Sequence, residues 1–194
     1  MTYKTDNLSI LIFTDLDSSF LGKSDFSFGN NLNMTRQLFE EGHFVIFNSS
    51  KTFAELKNFS HEQSFDLPFI CENGGGIYSP KKYFKNLKKE REGYGVIFET
   101  KNIKNKIEFL KEEIIKIYGK YLAFFSDLND VNKQKLSGLD ADSVKLALAR
   151  EFTELILWQS NEENLVKFKE YLDFHDLKII KGGRFHHISN NINK

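Results

Sequence analysis

The sequence contains a single cysteine, has no formal net charge and lacks long apolar runs. Cys71 cannot form a disulfide within the chain, so the fold must be stable without one. The 27 basic and 27 acidic residues balance, which gives no general attraction to nucleic acid or to an anionic membrane. No segment is apolar over the roughly 20 residues of a membrane-spanning helix, and residues 1–10 lack the apolar core of a signal peptide. We therefore expect a cytoplasmic protein that binds neither nucleic acid nor membrane.

Length and composition indicate an ordinary globular protein. The 194 residues are 40% hydrophobic and 28% charged, which is typical of chains that fold. A chain of this length buries one good core or two small ones. We therefore expect one elaborated domain, or a domain with an insertion.

The first eighty residues alternate strand-like and helix-like segments. Three short apolar runs predict strands that are buried on both faces: 8–14, 43–50 and 67–76. Amphipathic spacing between them predicts helices over 31–42 and 50–59, the second capped by Ser50 or Thr52. Because crossovers between parallel strands are right-handed, this order predicts a parallel sheet with helices on both faces, the α/β class.

The sequence after residue 79 shows a different pattern of predicted helices and strands. A lysine-rich connector follows residue 80 and leads into an α+β pattern. Helices are predicted over 103–120, 139–150 and 160–172, and strands over 94–100, 151–158 and 177–189. Ser160 and Glu163 would form a capping box for the third of these helices. We interpret 80–189 as an α+β module inserted after the third strand of a core formed by 1–79.

Polar or small residues follow each of the three strands predicted in the core. They are Asp15 and Asp17 after the first, Ser49, Ser50 and Lys51 after the second, and Asn73 and Gly74 after the third. Ligands of parallel α/β sheets bind at the carboxyl ends of the strands. These residues should therefore share one rim.

Two carboxylates at a strand end suit phosphoryl transfer. One can attack phosphorus and form an aspartyl phosphate, while the second can protonate the leaving oxygen and later activate water. Because two anions repel a phosphate, the pair implies Mg²⁺. Ser49 can donate a hydrogen bond to a phosphoryl oxygen, Lys51 adds positive charge, and the helix that begins near Ser50 can offer backbone N–H groups to an anion.

Each of these signals has a plainer explanation when it is taken alone. Two aspartates can simply terminate a strand, and serines before helices are usually caps. Glycines 74–76 fit a tight turn better than a dinucleotide-binding loop, and Cys71 fits a packed core position better than a nucleophile. His186 and His187 would face opposite sides of a strand, which argues against a shared metal. The order of the strand-end motifs, rather than any one of them, favours a phosphate site.

Three segments together resemble the haloacid dehalogenase superfamily of phosphatases: LIFTDLDSSFLG, VIFNSSKT and FICENGGGIY. More narrowly, SSKT, AREFTELI and GGRFHHI resemble the mannosyl-3-phosphoglycerate phosphatases, and the similarity runs from about Leu8 to the end of the chain. The resemblance implies a Rossmann-like parallel-sheet core with an inserted α+β cap that covers the site.

The resemblance also implies roles for individual residues. Asp15 would be the nucleophile and Asp17 the acid/base, Asp15 and the Asp17 backbone carbonyl would bind Mg²⁺, and Ser49 would bind the phosphate. Arg150 and Arg184 lie in the narrower motifs, and a guanidinium matches a carboxylate or phosphate bidentately. Surface ion pairs are the alternative for both arginines.

The sequence departs from the family pattern at two places. Ser18 and Ser19 stand where the family has glycine and threonine. The family then has a phosphate-binding lysine after the cap and an acidic loop that completes the metal site. Here residues 190–194 begin the return to the core, Lys194 stands where the lysine motif starts, and the acidic loop does not appear. The strand at 8–14 would then be an apolar edge, so we expect a second copy or a complementing chain to cover it, or a truncated product of low activity.

The sequence therefore predicts an Mg²⁺-dependent phosphatase for a phosphorylated sugar or glycosyl-glycerate. One alternative is a phosphatase of another sugar phosphate, such as the sucrose-phosphate type. The other is a relative that binds phosphate esters without turning them over.

Overall fold

The structure is a computed structural model and describes residues 9–22, 29–84 and 86–191. The strands are β1 (Leu11–Thr14), β2 (Phe44–Asn48), β3 (Phe69–Cys71), β4 (Gly76–Pro80), β5 (Glu90–Arg91), β6 (Tyr94–Glu99), β7 (Leu122–Phe124), β8 (Thr153–Trp158), β9 (Lys178–Lys181) and β10 (His186–Ser189). The α-helices are α1 (Asn31–Glu40), α2 (Phe53–Glu62), α3 (Lys104–Tyr118), α4 (Asp130–Ser137), α5 (Ala141–Leu148) and α6 (Glu162–Phe174). None of the helices in these ranges combines the length and the apolar composition needed to cross a membrane.

The first sheet contains the predicted parallel core. Its strand order is β1-β2-β3-β4-β6-β5, in which β1, β2 and β3 run parallel and the later strands pair antiparallel. The predicted α/β class is confirmed. Strands β5 and β6 fall after residue 80 in the sequence yet belong to this sheet, and the division of the chain into core and cap at that residue stays a prediction.

The second sheet is antiparallel and supports the α+β unit. Its order is β7-β8-β10-β9. The spacing of α3 buries Ile107, Leu110 and Ile114 against this sheet, together with Phe168 and Leu172 of α6. Strand β7 and helix α4 were missed by the sequence interpretation, because neither is long or strongly periodic.

Burial in the first sheet differs between its centre and its edge. Val45, Ile46 and Phe47 are consecutive buried residues of β2, as expected for a strand covered on both faces. In β1, by contrast, Leu11 is 54% and Phe13 58% exposed, so the prediction that this strand is buried on both faces is wrong. Strand β1 lies at the edge of the described sheet, and the covering of that edge by another chain stays a prediction.

The helix caps follow the sequence in one case and depart from it in another. Thr52 caps α2 and forms the capping box with Glu55. For α6 the cap is Asn161, whose side chain accepts a hydrogen bond from the Asn164 N–H at 3.0 Å. Ser160 instead accepts from the Asn164 side chain. The predicted capping box of Ser160 and Glu163 is therefore wrong: the cap falls one residue later, at an asparagine, which caps a helix as well as serine does.

Candidate active site

Asp15 and Asp17 lie in a wide turn that follows β1. The Phe20 N–H donates to the Asp15 carbonyl oxygen at 3.1 Å, and the Leu21 N–H donates to the Leu16 carbonyl oxygen at 2.9 Å. This is a π-helical turn, Leu16–Phe20. Leu16 is fully buried and anchors the turn in the core. π-Helical turns are uncommon and occur often at functional sites.

An ion pair joins the first strand end to the second. The Lys51 Nζ lies 3.3 Å from the Asp17 Oδ2. The other carboxylate oxygen of Asp17, Oδ1, is buried and has no hydrogen-bond partner among the described residues. Among the described residues, Lys51 is thus the partner of one Asp17 oxygen only.

Backbone hydrogen bonds join the second strand end to the third. Ser49 is buried, with 1% of its surface exposed, and its Oγ accepts a hydrogen bond from the Lys51 N–H at 3.2 Å. The Ser49 carbonyl oxygen accepts from the Asn73 N–H at 3.0 Å, and the Lys51 carbonyl oxygen accepts from the Glu72 N–H at 2.9 Å. The predicted phosphate-binding residues and the glycine-rich loop therefore form one connected rim.

The start of α2 contributes less to this rim than the sequence suggested. The Thr52 N–H donates to the Glu55 carboxylate at 2.8 Å, and the Glu55 N–H donates to Thr52 Oγ1 at 3.1 Å. Thr52 Oγ1 also donates to the Leu146 carbonyl oxygen of α5 at 2.8 Å. The expectation that this helix start offers free backbone donors is wrong for Lys51, Thr52 and Glu55, because each N–H already has a partner.

Arg150 extends from the second unit to the rim. Its Nη2 donates to the Ser50 carbonyl oxygen at 3.1 Å and its Nη1 donates to Thr153 Oγ1 at 2.6 Å. Its Nε is buried without a partner among the described residues, as is the Asn73 Nδ2. Two polar donors near the rim are thus left without a hydrogen bond to any described residue.

The remaining predicted site residues lie in different places. Arg184 donates to the Ser137 carbonyl oxygen at the end of α4 and contacts the Gly138 position. Gly74 has a φ of +103° and continues the turn after Asn73. Lys194 lies outside the described residues. These contacts do not link Arg184 to the aspartates, and its role in substrate binding stays a prediction.

Glu72 is a buried acid behind the rim that the sequence interpretation missed. Its carboxylate accepts hydrogen bonds from the N–H groups of Glu151, Phe152 and Thr153 and from the Thr153 hydroxyl. Burial raises the pKa of the Glu72 carboxyl, against the opposing effects of the Arg150 charge and of these hydrogen bonds. An acid placed between a buried strand and a glycine-rich loop was the signal available in the sequence.

Gly75 is needed because the second unit approaches the backbone closely there. A Cβ at this position would lie 2.3 Å from the Phe152 Cβ, far inside van der Waals contact. We expect Gly75→Ala to lower the free energy of unfolding by about 1–3 kcal/mol, as overpacking does in other cores. Urea denaturation measures this change.

The matched control for this substitution is Gly183→Ala. A Cβ there would meet nothing within 4 Å, so the change should stay within about 0.5 kcal/mol. Equal effects of the two substitutions would contradict the close approach of Phe152 to the glycine-rich loop.

A cleft opens beside Arg150. Its volume is about 300 Å³. Its polar and charged lining consists of Lys104, Glu108, Lys111, Ser126, Arg150, Glu151, Thr153 and Glu154. The Ser126 hydroxyl donates to Glu154 Oε1 at 3.1 Å, and burial raises the pKa of the Glu154 carboxyl. The cleft thus combines cationic groups with hydroxyl and carboxylate oxygens, a lining suited to an anionic, polyhydroxylated ligand.

The described residues contain no group of three or more His, Cys, Asp or Glu side chains that could hold a metal ion. Mg²⁺, however, is commonly held by one or two carboxylates, with waters and substrate phosphate completing its shell. The Asp15 carboxylate and the Asp17 backbone carbonyl, both in the turn after β1, are oxygen ligands of the kind that such a cation takes. The chemistry of these oxygens is therefore compatible with Mg²⁺.

Comparisons with known proteins identify similar sequences. The family described as haloacid dehalogenase-like hydrolase matches residues 12–194. A glucosyl-3-phosphoglycerate/mannosyl-3-phosphoglycerate phosphatase from Methanococcoides burtonii is 35% identical over 180 residues, which cover 92% of this chain and 66% of that protein. A mannosyl-3-phosphoglycerate phosphatase from Pyrococcus horikoshii is 30% identical over 190 residues, covering 95% of this chain and 73% of that protein. The chain therefore spans about two thirds of the length of the Methanococcoides relative.

Solved structures show the same fold. A phosphatase of the haloalkanoate dehalogenase enzyme superfamily from Bacteroides thetaiotaomicron superposes with a TM-score of 0.64 at 12% identity, covering 98% of this chain and 70% of that chain. A Thermotoga maritima protein superposes with a TM-score of 0.60 at 20% identity, covering 96% of this chain and 71% of that chain. At these identities the similarity supports the fold alone.

Proposed function

Because the chain belongs to the haloacid dehalogenase-like hydrolase family, we propose that it hydrolyses a phosphate monoester at the rim formed by Asp15, Asp17 and Ser49. The observation that carries this proposal is the linkage of the three strand ends. Lys51 pairs with Asp17 at 3.3 Å, and Asn73 donates to the Ser49 carbonyl oxygen at 3.0 Å. An acid pair, a buried hydroxyl and a cation are thus linked at these strand ends. Phosphoryl transfer uses groups of these kinds to position the phosphate and to stabilise its charge.

Asp15 is the proposed nucleophile. Its backbone carbonyl is used by the π-helical turn, whereas its side chain does not cap that turn. The carboxylate attacks phosphorus, the bond to the ester oxygen breaks, and an aspartyl phosphate forms. Water then attacks phosphorus and releases phosphate with Asp15 regenerated.

Asp17 is the proposed acid/base. In the first step its carboxyl proton goes to the leaving ester oxygen, and in the second step the carboxylate takes a proton from the attacking water. Lys51, at 3.3 Å from this carboxylate, brings positive charge to a pair of acids that would otherwise repel the substrate. Mg²⁺ bound by Asp15 and the Asp17 backbone carbonyl would neutralise further negative charge on the phosphate.

Ser49 and Asn73 are the proposed phosphate donors. The Ser49 Oγ accepts from the Lys51 N–H, so its own O–H remains a donor. The Asn73 Nδ2 is buried without a partner among the described residues, and a buried donor of this kind is costly unless a ligand satisfies it. We propose that Ser50 and Gly74 shape the same pocket and that Lys194 adds positive charge to it.

The proposed substrate is a glycosyl-3-phosphoglycerate. The Methanococcoides and Pyrococcus relatives are named for such esters, and the cleft beside Arg150 suits their chemistry. Lys104, Lys111 and Arg150 would meet the glycerate carboxylate, and Ser126 and Glu154 would meet sugar hydroxyls. A panel of sugar phosphates, assayed for phosphate release with and without Mg²⁺, tests the proposal. Mg²⁺-dependent release greatest for a glycosyl-3-phosphoglycerate supports it, and release greatest for sucrose phosphate would overturn the substrate assignment.

Arg150→Met should raise KM for a glycosyl-3-phosphoglycerate by about 10- to 100-fold, because the guanidinium loses a carboxylate partner. KM for p-nitrophenyl phosphate, which has no carboxylate, should change far less. Steady-state kinetics with the two esters measure the difference. The control is Arg36→Met, which replaces an exposed arginine of α1 that stacks on Phe65. Equal increases in KM for both esters would remove Arg150 from carboxylate recognition.

A further inference from the structure

Glu72 is a buried carboxylate that joins the strand-end rim to the second unit. Its exposure is 1%. Its Oε2 accepts from the Phe152 N–H at 3.0 Å, from the Thr153 N–H at 2.8 Å and from the Thr153 hydroxyl at 2.8 Å. Its Oε1 accepts from the Glu151 N–H at 3.1 Å. Each of these hydrogen-bond donors lies about eighty residues away along the chain.

The backbone of Glu72 is tied to the opposite side of the site. Its N–H donates to the Lys51 carbonyl oxygen at 2.9 Å, and the next N–H, that of Asn73, donates to the Ser49 carbonyl oxygen. Both residues have left-handed backbone angles, with φ of +48° and +57°. Non-glycine residues adopt this region at a cost, which the surrounding structure must offset. Glu72 therefore connects the Ser49–Lys51 loop through its backbone and residues 151–153 through its side chain.

Arg150 is positioned through this connection. Its Nη1 donates to Thr153 Oγ1 at 2.6 Å, and the same oxygen donates to Glu72 Oε2 at 2.8 Å. Its Nη2 donates to the Ser50 carbonyl oxygen. The guanidinium is thus held at two points, one on the phosphate-side loop and one on the hydroxyl that Glu72 fixes.

We propose that Glu72 is a positioning residue that holds residues 150–153 against the Ser49–Lys51 loop and thereby sets the selectivity of the site for phosphate esters that carry a carboxylate. The inference rests on the proposed phosphatase function of the same rim. The hydrogen bonds of the Glu72 side chain go to residues 151–153. It acts through Thr153 and Arg150, which makes its effect separable from the chemistry at Asp15.

Two variants break the connection at different points. Glu72→Gln keeps the shape of the side chain but replaces one carboxylate oxygen with an N–H donor. When that donor takes the place of Oε1, the Glu151 N–H loses its acceptor. Thr153→Val keeps the backbone bonds and removes the hydroxyl between Arg150 and Glu72. The matched control is Glu99→Gln, which changes another largely buried carboxylate that pairs with Lys89 and Tyr78 instead.

The first measurement is the ratio of KM for 3-phosphoglycerate to KM for p-nitrophenyl phosphate. Both variants should raise this ratio about tenfold or more while kcat for p-nitrophenyl phosphate stays near that of the parent, because only substrate positioning is lost. Glu99→Gln should leave the ratio unchanged. If the activities toward both esters fall together, in proportion to the loss of folded protein, Glu72 has a structural role only and the proposal is overturned.

The second measurement does not depend on catalysis. Hydrogen exchange at the amides of residues 151–153 should accelerate about tenfold or more in Glu72→Gln, because the charged acceptor becomes a neutral one and an N–H donor replaces one of its two oxygens. Unchanged exchange would overturn the connection itself. If the parent hydrolyses no ester, the proposed function fails separately. Calorimetric affinities for 3-phosphoglycerate and inorganic phosphate then test Glu72, and an unchanged ratio of the two in the variants would overturn its role.

Discussion

Asp15→Asn is expected to reduce Mg²⁺-dependent phosphate release by about 10³-fold or more, as removal of a covalent nucleophile does in other enzymes. The substitution keeps the shape of the side chain and removes the anionic oxygen that attacks phosphorus. The backbone bonds of the turn, from Phe20 to the Asp15 carbonyl oxygen and from Leu21 to that of Leu16, do not involve the side chain. The variant should therefore fold, and the loss should appear in kcat.

The control for this prediction is Asp142→Asn. Asp142 is 91% exposed in its side chain and pairs with Lys145 on the surface of α5. Surface substitutions of this kind usually have little effect, and its phosphate release should match that of the parent. Retention of more than a tenth of the parent rate by Asp15→Asn, in a protein with unchanged thermal unfolding, would remove Asp15 from the nucleophile role.

Asp17→Asn is expected to lower kcat/KM for a sugar phosphate by about 10²- to 10⁴-fold, the usual contribution of a general acid. The asparagine cannot protonate the leaving alkoxide. For p-nitrophenyl phosphate the loss in kcat/KM should be much smaller, because nitrophenolate leaves without a proton. Comparing kcat/KM for the two esters isolates the step in which the ester bond breaks.

Loss of the Lys51 ion pair must be separated from loss of the acid. Lys51→Met removes the 3.3 Å contact to Asp17 but keeps the carboxyl group of Asp17 itself. Its effect should be similar for both esters, because it changes phosphate attraction rather than leaving-group protonation. Equal losses for both esters in Asp17→Asn would contradict the acid/base role and assign Asp17 to charge or metal binding alone.

The strand-end residues could be predicted from the sequence because their positions follow from chain order. Parallel strands end at one edge, so their order in the sequence predicts that Asp17, Ser49 and Asn73 meet. The Lys51 contact to Asp17 and the Asn73 bond to Ser49 agree with that expectation. The capping box at Thr52 followed from its local spacing to Glu55.

Other features depend on contacts that no local pattern encodes. Glu72 meets its donors about eighty residues away, and Arg150 reaches Ser50 one hundred residues away. The π-helical turn after β1 depends on burial of Leu16, which the spacing of the aspartates does not reveal. The exposure of Phe13 reflects the place of β1 in the sheet, and a continuous apolar run does not distinguish an edge strand from a central one.

The most direct test of the account is to trap the covalent intermediate. The protein is incubated with a glycosyl-3-phosphoglycerate and Mg²⁺, quenched in acid during turnover, and reduced with borohydride, which converts an aspartyl phosphate to homoserine. Peptide mass spectrometry should find homoserine at position 15 in the parent and none in Asp15→Asn. Turnover with unmodified Asp15, or with the modification at another carboxylate, would contradict the central claim that Asp15 carries the phosphoryl group.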